Sequence, residues 1–463
     1  MLKNFRKKFI GDKAFYMMVL GIAVPIMIQN GITNFVNLLD NIMVGRLGTE
    51  QMSGVSIVNQ LIFVYNICIF GGVSGAGIFG TQFYGKGDYE GQKYSFRYKM
   101  YASIVIAVIT TILFVSLGTE LISLYLNDGG DIGNVELALK YGKEYIAIII
   151  FTLIPFAIGQ AYTNTARECG YTFVPMIASI AAVVINIILD AVLIFGLLGA
   201  PKLGVSGAAI ATVISRIVEC LILIIWTHLN KDKNKYIIGA YKSCKIPKKI
   251  LKDIIIKGTP LMVNEIMWAT GMTVIIGCYS VRGLEVIAAL NISSTITNLF
   301  NIVYIQLGAC ISIVIGQYLG AGKIEKAKDS VNKMLFFCVG CCIVVSVIMI
   351  CIGGFFPNIY KTELEIKELA KKFIFISALV MPLCAYAHGT YFTLRSGGKT
   401  IITFVFDSLY TWVFLIPIAF LLTRYSTLSI VAVFFIVQFT EIIKVTIGYF
   451  MVRSGIWVNN IVD

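Results

Sequence analysis

Charge is scarce in this 463-residue chain: Asp, Glu, Lys and Arg make up 14% of it, against 58% hydrophobic residues. That balance excludes an ordinary soluble domain. Histidine is rarer still, with His228 and His388 standing alone, so no histidine-rich metal centre and no nucleophile–base–orienter set can be assembled. The chain is therefore not expected to be an enzyme. The eleven cysteines lie mostly inside apolar stretches, including Cys338, Cys341 and Cys342, where they read as small buried residues rather than a disulfide framework. Nucleotide loops are missing as well. Gly72 to Gly77 lies in an apolar helical stretch with no strand before it, and Gly398-Lys399-Thr400 lacks the earlier glycine, Thr393 standing there.

What is present is hydrocarbon. Mean hydropathy is +0.84, and apolar runs of membrane-spanning length occupy roughly 14–44, 52–80, 97–118, 141–163, 172–198, 203–227, 254–280, 287–316, 332–356, 373–394, 400–423 and 428–452. The expected fold is an all-α polytopic membrane protein of twelve transmembrane helices. The basic amino end (Lys3, Arg6, Lys7, Lys8) resembles a signal peptide, but the run after it is about twice the usual apolar length, so it reads as an uncleaved first helix. Basic residues crowd into the amino end, Lys86 to Lys99, Lys231 to Lys252, Lys323 to Lys333, and Arg395 with Lys399. Those loops are expected in the cytoplasm. An even helix count then puts both termini inside a multi-pass plasma-membrane protein. The net charge of +13 follows from that bias, with attraction to anionic membrane lipids as a secondary effect; no nucleic acid is needed to explain it.

The first run, Ala14 to Val44, carries Pro25, Gln29, Asn30, Thr33, Asn34, Asn37, Asp40 and Asn41. Steps of three and four residues place most of these on one helical stripe. Lipid would reject such a stripe, so it faces protein or water, and intramembrane acids usually mark ion or substrate pathways. Asp40 is the leading functional candidate; the competing reading is that it sits solvated in the outer interface.

The chain repeats itself. An offset of 235 lays Pro25 on Pro260, Gly48 on Gly283, Gln82 on Gln317 and Gly85 on Gly320; the offset becomes 227 at Pro155/Pro382 and Gly170/Gly397, and 222 at Glu219/Glu441. Two copies of six helices enter the membrane the same way and are related by an axis along its normal. The expected domains are an N-terminal six-helix bundle (1–227), a basic cytoplasmic linker (228–253) and a C-terminal six-helix bundle (254–463), pseudo-twofold-related around a central cavity. Pro25 and Pro260 are candidate hinges, because proline removes a helix hydrogen bond. Glycines such as Gly71, Gly75, Gly80, Gly308 and Gly316 are read as close-packing positions.

Leu39-Asp40-Asn41 through Val44-Gly45-Arg46-Leu47-Gly48, then Gln82-Phe83-Tyr84-Gly85, then Asn186-x-x-x-Asp190, then Ala208-Ala209-Ile210-Ala211-Thr212 follow one another as in the MATE (multidrug and toxic compound extrusion) transporters, which the chain resembles over nearly its whole length. The resemblance implies two bundles alternating access to a central cavity, with organic, often cationic, compounds exported in exchange for H+ or Na+. It implies a cation-binding site at Asp40, Asn186, Asp190 and Thr212. Glu265, whose Asn264-Glu265 falls on Gln29-Asn30 in the repeat, is similar to a helix-seven glutamate used for coupling in some members. Ala191 departs from the proline that follows the aspartate in many relatives.

The remaining cavity candidates are Gln29, Asn30, Asn34, Asn37, Asn264, Trp268, Asp407 and Tyr410, the aromatic ones for stacking on a cationic cargo. Arg216/Glu219 and Glu441/Lys444, each three apart, are expected to neutralise themselves along their helices. The expected function is a secondary antiporter for organic cations that acts as a monomer, with no cofactor and no metal beyond a coupling Na+. A flippase for a lipid-linked saccharide or cell-envelope precursor is the alternative. Its pyrophosphate cargo would want a basic cavity, whereas Asp40, Asp190, Glu265 and Asp407 are expected as unpaired acids outnumbering unpaired bases.

Overall fold

The computed structural model describes residues 6, 8–127 and 134–463, apart from the side chains of Asn37, Leu38, Asn41 and Asn127. The helices are α1 (Lys13–Gly45), α2 (Thr49–Lys86), α3 (Tyr89–Asn127), α4 (Val135–Ile149), α5 (Leu153–Glu168), α6 (Phe173–Phe195) and α7 (Val205–Leu229) in the first half. The second half holds α8 (Lys248–Ser280), α9 (Leu284–Gly320), α10 (Ile324–Gly353), α11 (Leu364–Ser396), α12 (Thr400–Phe404), α13 (Ile416–Tyr425), α14 (Ile430–Phe439) and α15 (Glu441–Ser454). Among the described residues, twelve segments are long and apolar enough to cross a membrane, with α4–α5, α12–α13 and α14–α15 each forming one of them.

Local chemistry sets the ends and breaks. Asp12 caps α1 by accepting from the Phe15 amide at 2.8 Å, and Asn134 does the same for α4 through Leu137 at 3.1 Å. Gly196 closes α6 in the left-handed conformation (φ 74°). The turn Ile150–Thr152 separates α4 from α5, because Pro155 has no amide to bond the preceding turn. Pro25, Pro260 and Pro382 instead lie inside continuous helices. The lipid-facing side of α3 is apolar at helical spacing: Val105, Ile109, Ile112 and Val115 are all at least half exposed.

Helices extend beyond the apolar runs. Lys93, Arg97 and Lys99, expected in a loop, lie in the first turns of α3. Lys99 is fully buried, with Nζ donating to both Glu168 oxygens at 2.8 and 2.7 Å and to Thr165 Oγ1 at 2.6 Å. The glycines of α2 make room for that pair: a Cβ at Gly77 would meet Glu168 Oε1 at 3.2 Å, and one at Gly80 would overlap the other carboxylate oxygen.

Packing divides the chain into two compact units. The N unit holds Ile28–Gly80 and Tyr89–Ile254; the C unit holds Met1–Met27, Thr81–Asp88 and Ile255–Asp463. The N-unit core gathers Val58, Tyr65, Ile122, Leu153 and Ile194, and the C-unit core centres on Leu307, Cys310, Cys338, Cys342 and Trp457. The repeat is visible in a reciprocal contact inside the C unit. A Cβ on Gly85 would strike the Gln317 backbone, and one on Gly320, its repeat counterpart, would strike the Gln82 backbone. Such exchange is what a twofold relation between the two Gln-x-x-Gly copies produces.

The linker is docked on the N unit. Arg97 donates to the carbonyls of Ala240, Lys245 and Gly239 at 2.7, 2.9 and 3.0 Å, while Tyr236 is buried against Phe96. Each charge-assisted bond is worth about 1.5–3 kcal/mol. Arg97→Ala should therefore free the linker and speed tryptic cleavage after Lys242 and Lys245 by about tenfold or more, as read by limited proteolysis of the folded protein. Equal cleavage rates would contradict this account of the linker.

Candidate functional site

The polar stripe of α1 meets α6 and α7 inside the N unit. Ser179, Asn186 and Asp190 fall seven and four residues apart on α6, hence on one face, and Thr212, Arg216 and Glu219 share a face of α7. Ser179, Asn186, Thr212, Arg216 and Glu219, with Thr33, Val36 and Asp40, line a cavity of about 420 Å3, counted with its open mouth. Asp190 lies just behind the wall and is 1% exposed.

Two carboxylates confront each other there. Asp40 and Asp190 lie within hydrogen-bonding reach of one another, yet Asp40 Oδ1 and both Asp190 oxygens accept no hydrogen bond among the described residues. Neither carboxylate brings a donor to the contact unless one of the two carries a proton. A proton or a cation between them would satisfy both. Asn186, 4% exposed and with its amide nitrogen unpartnered, adds a carbonyl oxygen to the set. Tyr145 closes it, its hydroxyl donating to Asn59 Oδ1 at 3.3 Å and standing within reach of Thr212. Carboxylate, amide and hydroxyl oxygens suit a proton or a hard monovalent cation.

A hydrogen-bonded chain borders the pair. Arg167 donates to Gln29 Oε1 at 2.6 Å, Gln29 Nε2 to Ser179 Oγ at 2.7 Å, and Ser179 Oγ to Glu219 Oε1 at 2.5 Å. Arg216 Nη1 donates to the other Glu219 oxygen at 2.8 Å. Arg216 also stands over the Phe156 ring at 5.5 Å and acts on Asp40 across the cavity. The Arg216/Glu219 pair does close along its helix as its spacing implies, but it forms part of the cavity wall.

The C unit holds the second set of candidates, and here one expectation is corrected. Asp407 is not an unpaired acid. Its Oδ1 accepts from Lys444 at 2.9 Å and its Oδ2 from Asn264 at 3.2 Å. Lys444 is correspondingly 3.8 Å from Glu441, so it neutralises Asp407 across helices in preference to its own neighbour. Glu265 accepts from Tyr391 at 3.4 Å, and the Arg395 guanidinium acts on it as an opposite charge. Ser408 donates to Asn264 Oδ1 at 2.7 Å, so Asn264, like its repeat counterpart Gln29, bonds a serine, although in the N unit the amide is the donor.

The other candidates are dispersed. Gln29 and Asn264 are buried and engaged; Asn30 is half-buried, Asn34 is exposed, and Trp268 is 41% exposed. Tyr410 is buried with its hydroxyl on the Thr440 carbonyl at 2.7 Å. The Asn37 side chain lies outside the described residues. Sequence reasoning missed Tyr145, Ser179 and Arg167. Ser179 was findable from its helical phase with Asn186, whereas Tyr145 and Arg167 come from spans whose contact with α6 no periodicity reveals.

The family model MatE matches residues 25–192 and 260–421, more than half of the chain. The chain is 24% identical over 449 residues to "Probable multidrug resistance protein NorM" of Thermotoga maritima, covering 95% of this chain and 92% of that one. It is 25% identical over 414 residues to "Probable multidrug resistance protein YoeA" of Bacillus subtilis, covering 89% and 87%. Among solved structures, an outward-facing multidrug resistance MATE family transporter of the MOP superfamily superposes with a TM-score of 0.85 at 19% identity, covering 95% of each chain.

Glu219 fixes both Ser179 and Arg216. Glu219→Gln should leave the guanidinium short of its counter-charge and lower thermal stability in detergent by about 1–3 kcal/mol, with Glu219→Asp losing less. An unchanged unfolding transition would show that the chain of bonds does not support the cavity.

Proposed function

The chain belongs to the MatE family of transporters, and on that premise we propose that it is a secondary antiporter, exporting cationic organic compounds in exchange for H+ or Na+ by alternating access. The observation that carries the reading is the unpartnered Asp40–Asp190 pair beside a cavity. Two like charges in a medium of low dielectric repel strongly. A proton or Na+ between them relieves that repulsion, and so does a cationic cargo in the adjoining cavity; the two therefore compete for one charge deficit. Asn186 and Thr212 complete the ion's oxygen set.

Exchange needs each ligand to favour a different arrangement of helices. Pro25, two residues before α1 passes from one packing unit to the other after Met27, is the proposed hinge, with Pro260 as its repeat counterpart. One charge moving inward is worth about 2.3 kcal/mol per 100 mV. The names of the relatives, multidrug resistance proteins, support drugs as cargo. The chain is read as a monomer with both termini in the cytoplasm, following the basic loops.

Everted vesicles carrying the protein, tested with cationic dyes under a pH gradient and separately under a sodium gradient, check the proposal. Uptake should follow one gradient and be abolished by Asp40→Asn or Asp190→Asn, while the membrane content of protein is unchanged. Dye uptake that persists undiminished in both variants would remove the site from the mechanism.

A further inference from the structure

In the C unit Asp407 is answered from within the chain at both oxygens, while Glu441, 3.8 Å from the same Lys444 ammonium, keeps one carboxylate oxygen unpartnered among the described residues. Lys444 is 5% exposed, its ammonium 2.9 Å from Asp407 and 3.8 Å from Glu441, with the Phe406 and Tyr410 rings each 5.6 Å away. Two carboxylates and two aromatic faces are the surroundings in which a free cation would be held. The backbone is shaped to deliver Asp407 there. The segment between α12 and α13 runs through two successive π-helical turns, Val405–Leu409 and Thr411–Leu415, a geometry that re-aims side chains and tends to mark functional sites. Ser408 anchors the turn by donating to the Asn264 carbonyl and side chain at 2.9 and 2.7 Å.

We propose that Lys444 is a tethered cation, occupying between Asp407 and Glu441 the place that Na+ would otherwise take, so that the coupling ion binds in the N unit alone. The proposal rests on the antiporter reading above and decides which unit the driving ion uses. Its physical basis is the contrast between the units. Asp190 has both oxygens unpartnered, whereas both Asp407 oxygens are engaged, one by an ammonium and one by an amide. Glu441 is the repeat counterpart of Glu219. In the N unit the base paired with Glu219 lies three residues earlier, at Arg216, and among the described residues bonds that acid on its own helix; in the C unit it lies three residues later and crosses to a second helix. Glu265 belongs to the same neighbourhood and has Arg395 opposite it. Charge-burying cost explains why the lysine is required: without it Asp407 and Glu441 would be two acids in the membrane interior with no counter-ion beside them.

Removing the ammonium should therefore create a sodium site. The test compares thermal unfolding of purified protein in sodium chloride and in choline chloride at matched ionic strength, on an Asp40→Asn background that silences the N unit. The parent should unfold at the same temperature in both salts. Lys444→Gln should gain a sodium-selective rise of about 1.5 °C at sodium tenfold above its dissociation constant, Lys444→Arg should gain none, and Lys444→Gln with Asp407→Asn should lose the gain. A folded Lys444→Gln protein indifferent to sodium would overturn the proposal. Should that variant fold in neither salt, radioactive sodium retained by the Asp40→Asn parent decides. Retention that disappears on Asp407→Asn overturns the assignment, and no retention supports it. Failure of the N-unit reading would appear separately, as ion-driven export that survives Asp40→Asn.

Discussion

A carboxylate taken out of water needs a counter-charge, and the polar architecture of this chain follows from how each buried acid obtains one. Glu168 has Lys99, enclosed between helices whose glycines make the room. Glu219 has Arg216 and a serine hydroxyl. Asp407 has Lys444 and Asn264. Asp40 and Asp190 have each other, which is no solution electrostatically, and Arg216 reaches Asp40 only across the cavity. That pair stands beside a cavity, which is the feature the proposed exchange rests on.

The duplicated sequence has thus been put to unequal use. Gln29 and Asn264 occupy equivalent positions, and each bonds a serine on a partner helix. Glu219 and Glu441 are likewise equivalent. What differs is the base beside them: Arg216 stays on its own helix, and Lys444 bridges to Asp407. One unit keeps a deficit of positive charge where the other places an ammonium, so two copies of one scaffold present different charge environments.

Much of the fold was legible because the membrane imposes length and hydropathy on every span, and no soluble alternative shares that pattern. The grouping of Asn186 with Asp190 was legible from a spacing of four. Helix ends were not: α3 starts at Tyr89 because Lys93, Arg97 and Lys99 have partners in the fold, and hydropathy cannot see partners. The pairing of Asp407 failed for the same reason. Lys444 lies three residues from Glu441 and thirty-seven from Asp407; the local partner was visible and the winning one depends on π turns that change the register of the chain. Tyr145 and Arg167 carry no local signal, since their roles come from packing between helices.

The central claim is that ion and cargo compete at the Asp40–Asp190 pair. Equilibrium binding of a fluorescent cationic dye to the purified protein, measured across a matrix of pH and sodium concentrations, addresses it without requiring transport. Competition predicts that dye affinity falls as the coupling ion, proton or sodium, is raised, and that Asp190→Asn erases this dependence. A dye affinity in the native protein that is indifferent to both ions would contradict it.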